Sequence, residues 1–260
     1  MNIYEYIEVK ENEKPLDRIV TDGGFCGIFR TIGCIGDSLS SGEFESKDED
    51  GKHGYHDFYE YSWGQYIARS AGCKVYNFSC GGMTAKNYME NYADANGFWE
   101  KDKACQAYII ALGVNDIIHD KIALGDVDDI CLEDYKKNAQ TFAGYYGQII
   151  QKVKLLQPRA KIFLVSIPRF GNEKDEKRKA HRDLLEKMTK LFNDCYLIDL
   201  FTYAPEYNEV FQEKFFLGHM TPMGYVLSAR MIESYIDFII RKNPKEFNQV
   251  GFIGTDLYYR

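Results

Sequence analysis

Short apolar runs alternate with amphipathic stretches along most of this chain. The strand-like runs lie at about residues 30–35, 73–78, 107–112, 161–166 and 195–200. Apolar positions spaced three and four residues apart predict helices at about 61–71, 84–92, 133–157, 176–192 and 222–242. Such alternation predicts a parallel β-sheet with right-handed crossovers and helices on both faces. The fold class that the pattern predicts is therefore α/β.

Two of the predicted helices carry recognisable end signals. The strongest helical pattern runs from Leu132 to Gln157 and stops before Pro158. The last helix is expected to begin at Thr221-Pro222, with the threonine as N-cap and the proline at the first helical position.

The first strand ends in a serine. The apolar run that starts at Thr31 stops at Gly36-Asp37-Ser38. Open parallel α/β sheets place their ligands at the carboxyl ends of strands, so Ser38 lies where a nucleophile is expected. The alternative is a strand-ending turn in which Ser38 caps the next element.

Two further strand ends carry candidate hydrogen-bond donors. The run from Lys74 ends in Gly81-Gly82, and the run from Ala107 ends in Gly113, Val114 and Asn115. A glycine can offer its N–H without a side chain in the way, and the amide of Asn115 is a second donor. Acyl transfer needs such donors at the oxygen that becomes negative. Each segment would also suit an ordinary turn.

A histidine precedes the last predicted helix. His219 is one of five histidines, and its loop comes directly before Thr221-Pro222. A histidine in such a loop can lie over a serine at a strand end and accept its proton. His219 is therefore the candidate general base.

These four segments, in this order, resemble the SGNH (or GDSL) hydrolase family of esterases, lipases and acylhydrolases, over roughly residues 30 to 242. The four letters correspond to Ser38, Gly82, Asn115 and His219. The resemblance implies a three-layer α/β/α sandwich around a parallel five-stranded sheet of flavodoxin-like order. It also implies that Ser38 is the nucleophile and that Ser38, Gly82 and Asn115 form the oxyanion hole.

Two aspartates are expected to support this site. Asp37 is predicted to hold the turn that aims Ser38, and Asp116 to fix the loop of Asn115. The implied reaction attacks an ester, forms an acyl-enzyme on Ser38 and releases the acid with water. It requires no metal and no organic cofactor.

One position departs from the family pattern. Members usually carry an aspartate three residues before the histidine, and this chain has Phe216 there. The site could act as a Ser38–His219 dyad supported by a backbone carbonyl, an acid could come from elsewhere, or catalysis could be weak or lost. The acids considered for that role are Asp199, Glu213, Asp57 and Glu60.

These outcomes leave two functions open. The first is a serine esterase for short acyl groups, with acetyl on a carbohydrate as one option. The second is a binding or regulatory protein that uses the same scaffold without chemistry. Flavin or nucleotide binding is disfavoured because no strand is followed by a glycine-rich phosphate loop.

Length and composition limit the remaining choices. The 260 residues suit one domain over residues 30–260 with an N-terminal extension over residues 1–29 that packs on it. The net charge of −7 disfavours nucleic acid as a partner, and no apolar run is long enough for a membrane span. Seven cysteines without CxxC spacing and no visible secretory signal favour a cytoplasmic protein.

Two segments lie outside the core pattern. An insert at about residues 41–61 follows Ser38 and is expected to form either a substrate rim or a surface excursion. Acidic residues cluster at its start, namely Glu43, Glu45, Asp48, Glu49 and Asp50. The apolar residues between Phe247 and Tyr259 are expected to pack on the domain or on a second subunit, which allows a homo-oligomer.

Overall fold

The computed structural model describes residues 2–253 and contains a central parallel sheet. The strands are β1 (Thr31–Gly36), β2 (Glu43–Lys47), β3 (His53–Asp57), β4 (Lys74–Asn77), β5 (Ala107–Ala111), β6 (Lys161–Val165), β7 (Cys195–Ile198), β8 (Phe216–Leu217) and β9 (His219–Met220). Five of them form the sheet in the order β4-β1-β5-β6-β7, with every neighbouring pair parallel. The predicted flavodoxin-like α/β sheet is thereby confirmed.

Helices cover both faces of this sheet. They are α1 (Ile3–Ile7), α2 (Ser38–Ser41), α3 (Trp63–Ala71), α4 (Ala85–Asn87), α5 (Ala93–Ala95), α6 (Phe142–Leu156), α7 (Asp175–Leu191), α8 (Leu200–Tyr203), α9 (Glu209–Phe215) and α10 (Pro222–Lys242). A π-helical turn, Tyr88–Tyr92, joins α4 to α5. Within residues 2–253, no helix has the length and apolar character needed to cross a bilayer.

The core consists of two apolar clusters, one on each side of the sheet. Neighbouring residues of a strand point to opposite faces, so Ile110 packs with α6 and α7 while Ile109 packs with α3 and α10. Both side chains are fully buried. Burial on both faces explains why these strands are continuous apolar runs without polar alternation.

The helix predicted over residues 133–157 begins only at Phe142, so the first part of that prediction is wrong. Polar side chains in this stretch bind the backbone instead. Asp134 caps a short 3-10 turn, and the side chain of Asn138 accepts a hydrogen bond from an N–H seven residues earlier. Thr141 then caps α6 through its hydroxyl. Such local bonds compete with helix formation.

The insert after the nucleophile motif forms an antiparallel hairpin of β2 and β3. The sequence pattern predicted no regular element there. Successive side chains of a strand alternate between faces, so Glu43 and Glu45 share one face of β2. Phe44 lies on the other face, where it contacts the ring of Tyr225 in α10. The hairpin therefore presents two carboxylates on the same side.

Both ends of the described chain pack on this core. In the N-terminal segment, the N–H of Val20 donates to Ser234 in α10 at 2.9 Å. Near the other end, the ring of Phe247 stacks on Phe163 in β6. Residues 254–260, which belong to the expected C-terminal packing segment, lie outside the described residues.

We expect the variant Glu233→Gln to change how stability depends on pH. Glu233 is 1% exposed in α10, and burial raises the pKa of its carboxyl from 4.5 to about 7. Between these pH values the folded protein keeps a proton that the unfolded chain releases. The free energy of unfolding therefore falls as pH rises through this window. At about 1.4 kcal/mol per pKa unit, the fall is a few kcal/mol at most.

In Glu233→Gln this contribution disappears, so stability should gain relative to the wild type between pH 5 and pH 8. Urea unfolding at both pH values measures the difference. The exposed Glu209→Gln serves as the control and should follow the wild type. An unchanged pH dependence in Glu233→Gln would contradict the expectation.

Candidate active site

The predicted nucleophile lies at the carboxyl end of β1. Ser38 is the first residue of α2, and Asp37 caps this helix by accepting a hydrogen bond from the N–H of Leu39 at 3.1 Å. A side chain at Gly36 would overlap Ser40, so the turn requires glycine there. Asp37 is 2% exposed, and burial raises the pKa of its carboxyl to about 7.

The loops after β4 and β5 are tied together. Gly82 has a φ of +69°, which favours glycine. The amide of Asn115 donates to the carbonyl of Met83 at 3.1 Å. Asp116 is buried and accepts a hydrogen bond from the N–H of Ala85 at 2.9 Å, and burial raises its pKa to about 6. These bonds fix the position of Asn115 relative to the loop of Gly82.

Both ring nitrogens of His219 face a carboxylate. His219 begins β9, directly after the turn at Gly218, whose φ is +74°. Its Nδ1 lies 2.8 Å from Oε1 of Glu45, and its Nε2 lies 3.0 Å from Oε1 of Glu43. The ring is therefore held between the two acids on one face of β2.

Two glycines make room for these acids. A side chain at Gly218 would overlap the carboxylate of Glu45, and a side chain at Gly81 would overlap that of Glu43. The carbonyl of Glu43 also accepts a hydrogen bond from the hydroxyl of Tyr225 at 2.8 Å. Both carboxylates therefore lie directly against the backbone of a glycine, in space that a side chain at position 81 or 218 would fill.

The hairpin of β2 and β3 forms one wall around His219. The second oxygen of Glu45 lies 3.4 Å from Nδ1 of His53, and the ring of Tyr55 meets His219 edge-on at 6.1 Å between centroids. Glu43 is 8% exposed. Burial raises the pKa of its carboxyl, and the nearby His219 opposes this shift.

The four residues of the family motif meet in one cavity. Ser38, Gly82, Asn115 and His219 all line a space of about 450 Å³. The rest of its wall is largely apolar, with Ile118, Ile167, Pro168, Phe170, Leu200 and Phe216. A hydroxyl, an imidazole, backbone N–H groups and an amide are the groups that acyl transfer requires.

The acids considered from the sequence are not those that contact the histidine. Within residues 2–253, the carboxylates bound to His219 are Glu43 and Glu45. Three of the acids proposed from the sequence have other partners. Asp199 pairs with Arg182, Asp57 accepts a hydrogen bond from the N–H of Gly81, and Glu60 lies near Arg69. Glu213 lies in α9.

Position 216, where the family pattern has an aspartate, is occupied by a phenylalanine that packs with other aromatic rings. Its ring packs against Tyr207 and Phe211, so this position belongs to an aromatic cluster. The sequence signal for the replacement is the pair of acids at alternating positions 43 and 45. That spacing places both on one face only if the segment is a strand, which the sequence did not reveal.

Comparison with known proteins gives a family match. The family model for GDSL-like lipases and acylhydrolases matches residues 34–227, a range that contains all four motif residues. No curated protein matches the chain.

Several solved structures share the fold. One is a family two carbohydrate esterase from Clostridium thermocellum in complex with cellohexaose, with 16% identity over 84% of this chain and 65% of that one, and a TM-score of 0.55. A second is a family 3 carbohydrate esterase from Clostridium thermocellum, with 14% identity over 82% and 97% and a TM-score of 0.50. A third is the psychrotrophic esterase EstA from Pseudoalteromonas sp., with 16% identity over 81% and 98% and a TM-score of 0.53.

Proposed function

Because the chain belongs to the GDSL-like lipase/acylhydrolase family, we propose that it is a serine esterase with Ser38 as nucleophile and His219 as general base. The observation that carries the proposal is the shared cavity. Ser38 and His219 line it together with Gly82 and Asn115, as acyl transfer requires.

The reaction proceeds in two halves. Oγ of Ser38 attacks the acyl carbonyl while Nε2 of His219 takes the hydroxyl proton. The tetrahedral intermediate then collapses, and His219 returns the proton to the leaving alcohol. Water attacks the acyl-enzyme with His219 again as the base, which releases the acid and restores Ser38.

The oxyanion of the intermediate receives hydrogen bonds from three donors. These are the N–H groups of Ser38 and Gly82 and the side-chain amide of Asn115. Loss of one such donor in another serine hydrolase lowers the rate by about 10²–10³-fold. The bond from Asn115 to the carbonyl of Met83 supports this role because it fixes the amide beforehand.

Glu45 takes the place of the family aspartate. Its carboxylate lies 2.8 Å from Nδ1 of His219, on the nitrogen opposite to Nε2. In that position it accepts the Nδ1 proton, selects the productive tautomer and stabilises the imidazolium. Glu45 is therefore a positioning residue that acts through His219.

The rival function, a binding protein without chemistry, loses its main support. It depended on the absence of an acid at position 216. The carboxylate of Glu45 next to Nδ1 of His219 supports the esterase over this rival.

For the substrate, we propose a short-chain ester, with acetyl on a carbohydrate as the favoured form. A cavity of about 450 Å³ lies near the lower end of the range for small-molecule sites, and it must hold the acyl group and part of the alcohol. Structural neighbours that act as carbohydrate esterases support the same choice.

Hydrolysis of p-nitrophenyl esters from acetate to octanoate tests this function. We expect the purified protein to hydrolyse the acetate, and kcat/KM to fall for acyl chains longer than butanoate because the cavity is small. A rate that rises up to octanoate would contradict the short-chain preference. Failure to hydrolyse any of the esters would count against the esterase itself.

A further inference from the structure

Glu43 lines the cavity of the proposed site together with Ser38 and His219. One oxygen of its carboxylate contacts Nε2 of His219 at 3.0 Å, and the other lies against Gly81. The carboxylate therefore bridges the histidine loop and the glycine loop. Because Ser38 and Glu43 line the same cavity, an ester bound at Ser38 lies close to this carboxylate.

The contact with His219 also conflicts with catalysis. Nε2 cannot take the proton of Ser38 while the carboxylate of Glu43 lies beside it at 3.0 Å. Turnover therefore requires Glu43 to leave this contact with the ring. A carboxylate that is 8% exposed is costly to leave without a partner, so a productive substrate has to bring a replacement donor.

We propose that Glu43 selects the alcohol part of the substrate by accepting a hydrogen bond from a hydroxyl beside the ester oxygen. The proposal rests on the esterase function and specifies its substrates as esters of polyols. Nε2 of His219 returns the proton to the leaving oxygen, and Glu43 contacts this same nitrogen. A hydroxyl on the carbon next to the ester carbon therefore reaches the carboxylate.

Charge and desolvation together favour a neutral donor at Glu43. The acids Glu45 and Asp57 lie on the same hairpin, and of the two histidines whose charge acts on Glu43, His219 is the one in contact with its carboxylate. An anionic alcohol would be repelled by the acids. A cationic alcohol would lose its hydration on entering the site, whereas a hydroxyl supplies one donor without that penalty.

The test compares two esters that differ only in hydroxyl groups, 2,3-dihydroxypropyl acetate and propyl acetate. We expect the wild type to prefer the hydroxylated ester by at least about tenfold in kcat/KM, because a site built for a hydrogen bond rejects an analogue that lacks it. In Glu43→Ala, which lacks the acceptor, this ratio should fall towards one, and Glu43→Gln, whose amide oxygen still accepts a hydrogen bond, should give a smaller reduction. Glu49→Gln, at the exposed hairpin turn, should keep the wild-type ratio.

A ratio near one in the wild type, or an unchanged ratio in both Glu43 variants, would overturn the proposal. A stronger preference for choline acetate than for either ester would overturn it as well, since it would indicate a cation subsite. A substitution that merely destabilised the fold would lower kcat/KM for both esters and leave the ratio of the two values unchanged. Failure of the esterase function itself would show differently, as turnover that persists in Ser38→Ala.

Discussion

Ser38→Ala should lower kcat for p-nitrophenyl acetate by at least about 10⁴-fold. The substitution removes the only atom proposed to form the acyl-enzyme, while the oxyanion donors remain. In serine proteases, loss of a triad member leaves only a residual acceleration from the oxyanion hole and binding. Initial rates, corrected for spontaneous hydrolysis, measure the effect.

Ser40→Ala is a matched control for this variant. Ser40 lies in the same helix, is fully buried, and its hydroxyl has no hydrogen-bond partner among residues 2–253. Its loss should leave the rate within about twofold, since a buried hydroxyl without a hydrogen-bond partner contributes little to the folded state. A Ser38→Ala rate within tenfold of the wild type would show that another group is the nucleophile.

Glu45→Ala should lower kcat by about 10²–10⁴-fold and leave KM within a few-fold. Without the carboxylate on Nδ1, His219 loses the partner that fixes its tautomer, and a comparable loss in a serine protease costs about 10⁴-fold. Glu45→Gln should be similarly impaired because its amide can donate to Nδ1 and favour the wrong tautomer. Steady-state kinetics on p-nitrophenyl acetate give both parameters.

A second substitution separates this role from a structural one. Adding Phe216→Asp to Glu45→Ala restores an acid at the position that the family uses, and kcat should recover at least about tenfold. The exchange removes an aromatic ring from the cluster with Tyr207 and Phe211, so the double variant is expected to be less stable. Activity of Glu45→Ala within threefold of the wild type would instead favour the Ser38–His219 dyad.

The sequence predicted the central sheet and most of its helices because burial on both faces gives unambiguous apolar runs. The last helix was placed correctly over Pro222–Lys242, since its N-cap and proline mark the start. The start of α6 was wrong because side-chain bonds of Asp134 and Asn138 override helical spacing. The hairpin was missed because β2 and β3 are largely polar and lack an apolar face.

The candidate site was only partly accessible from the sequence. Ser38, Gly82 and Asn115 follow strands, and the topology of a parallel sheet brings strand ends together. The partnership of Glu45 with His219 joins residues 174 positions apart and depends on a strand that sequence did not predict. The sequence shows a cluster of acids after Ser38. Which of these acids contact His219 follows only from the register of the hairpin.

That separation along the chain has a consequence for biosynthesis. A local hairpin such as β2–β3 closes within about 1–10 µs, so Glu43 and Glu45 can share one face of β2 early on the ribosome. His219 is translated much later, directly before α10, whose Tyr225 hydroxyl donates to the carbonyl of Glu43 in the hairpin. A nascent chain would thus carry its nucleophile without a base until nearly all of the domain has emerged, and hydrolytic competence would arise as one of the last events of folding.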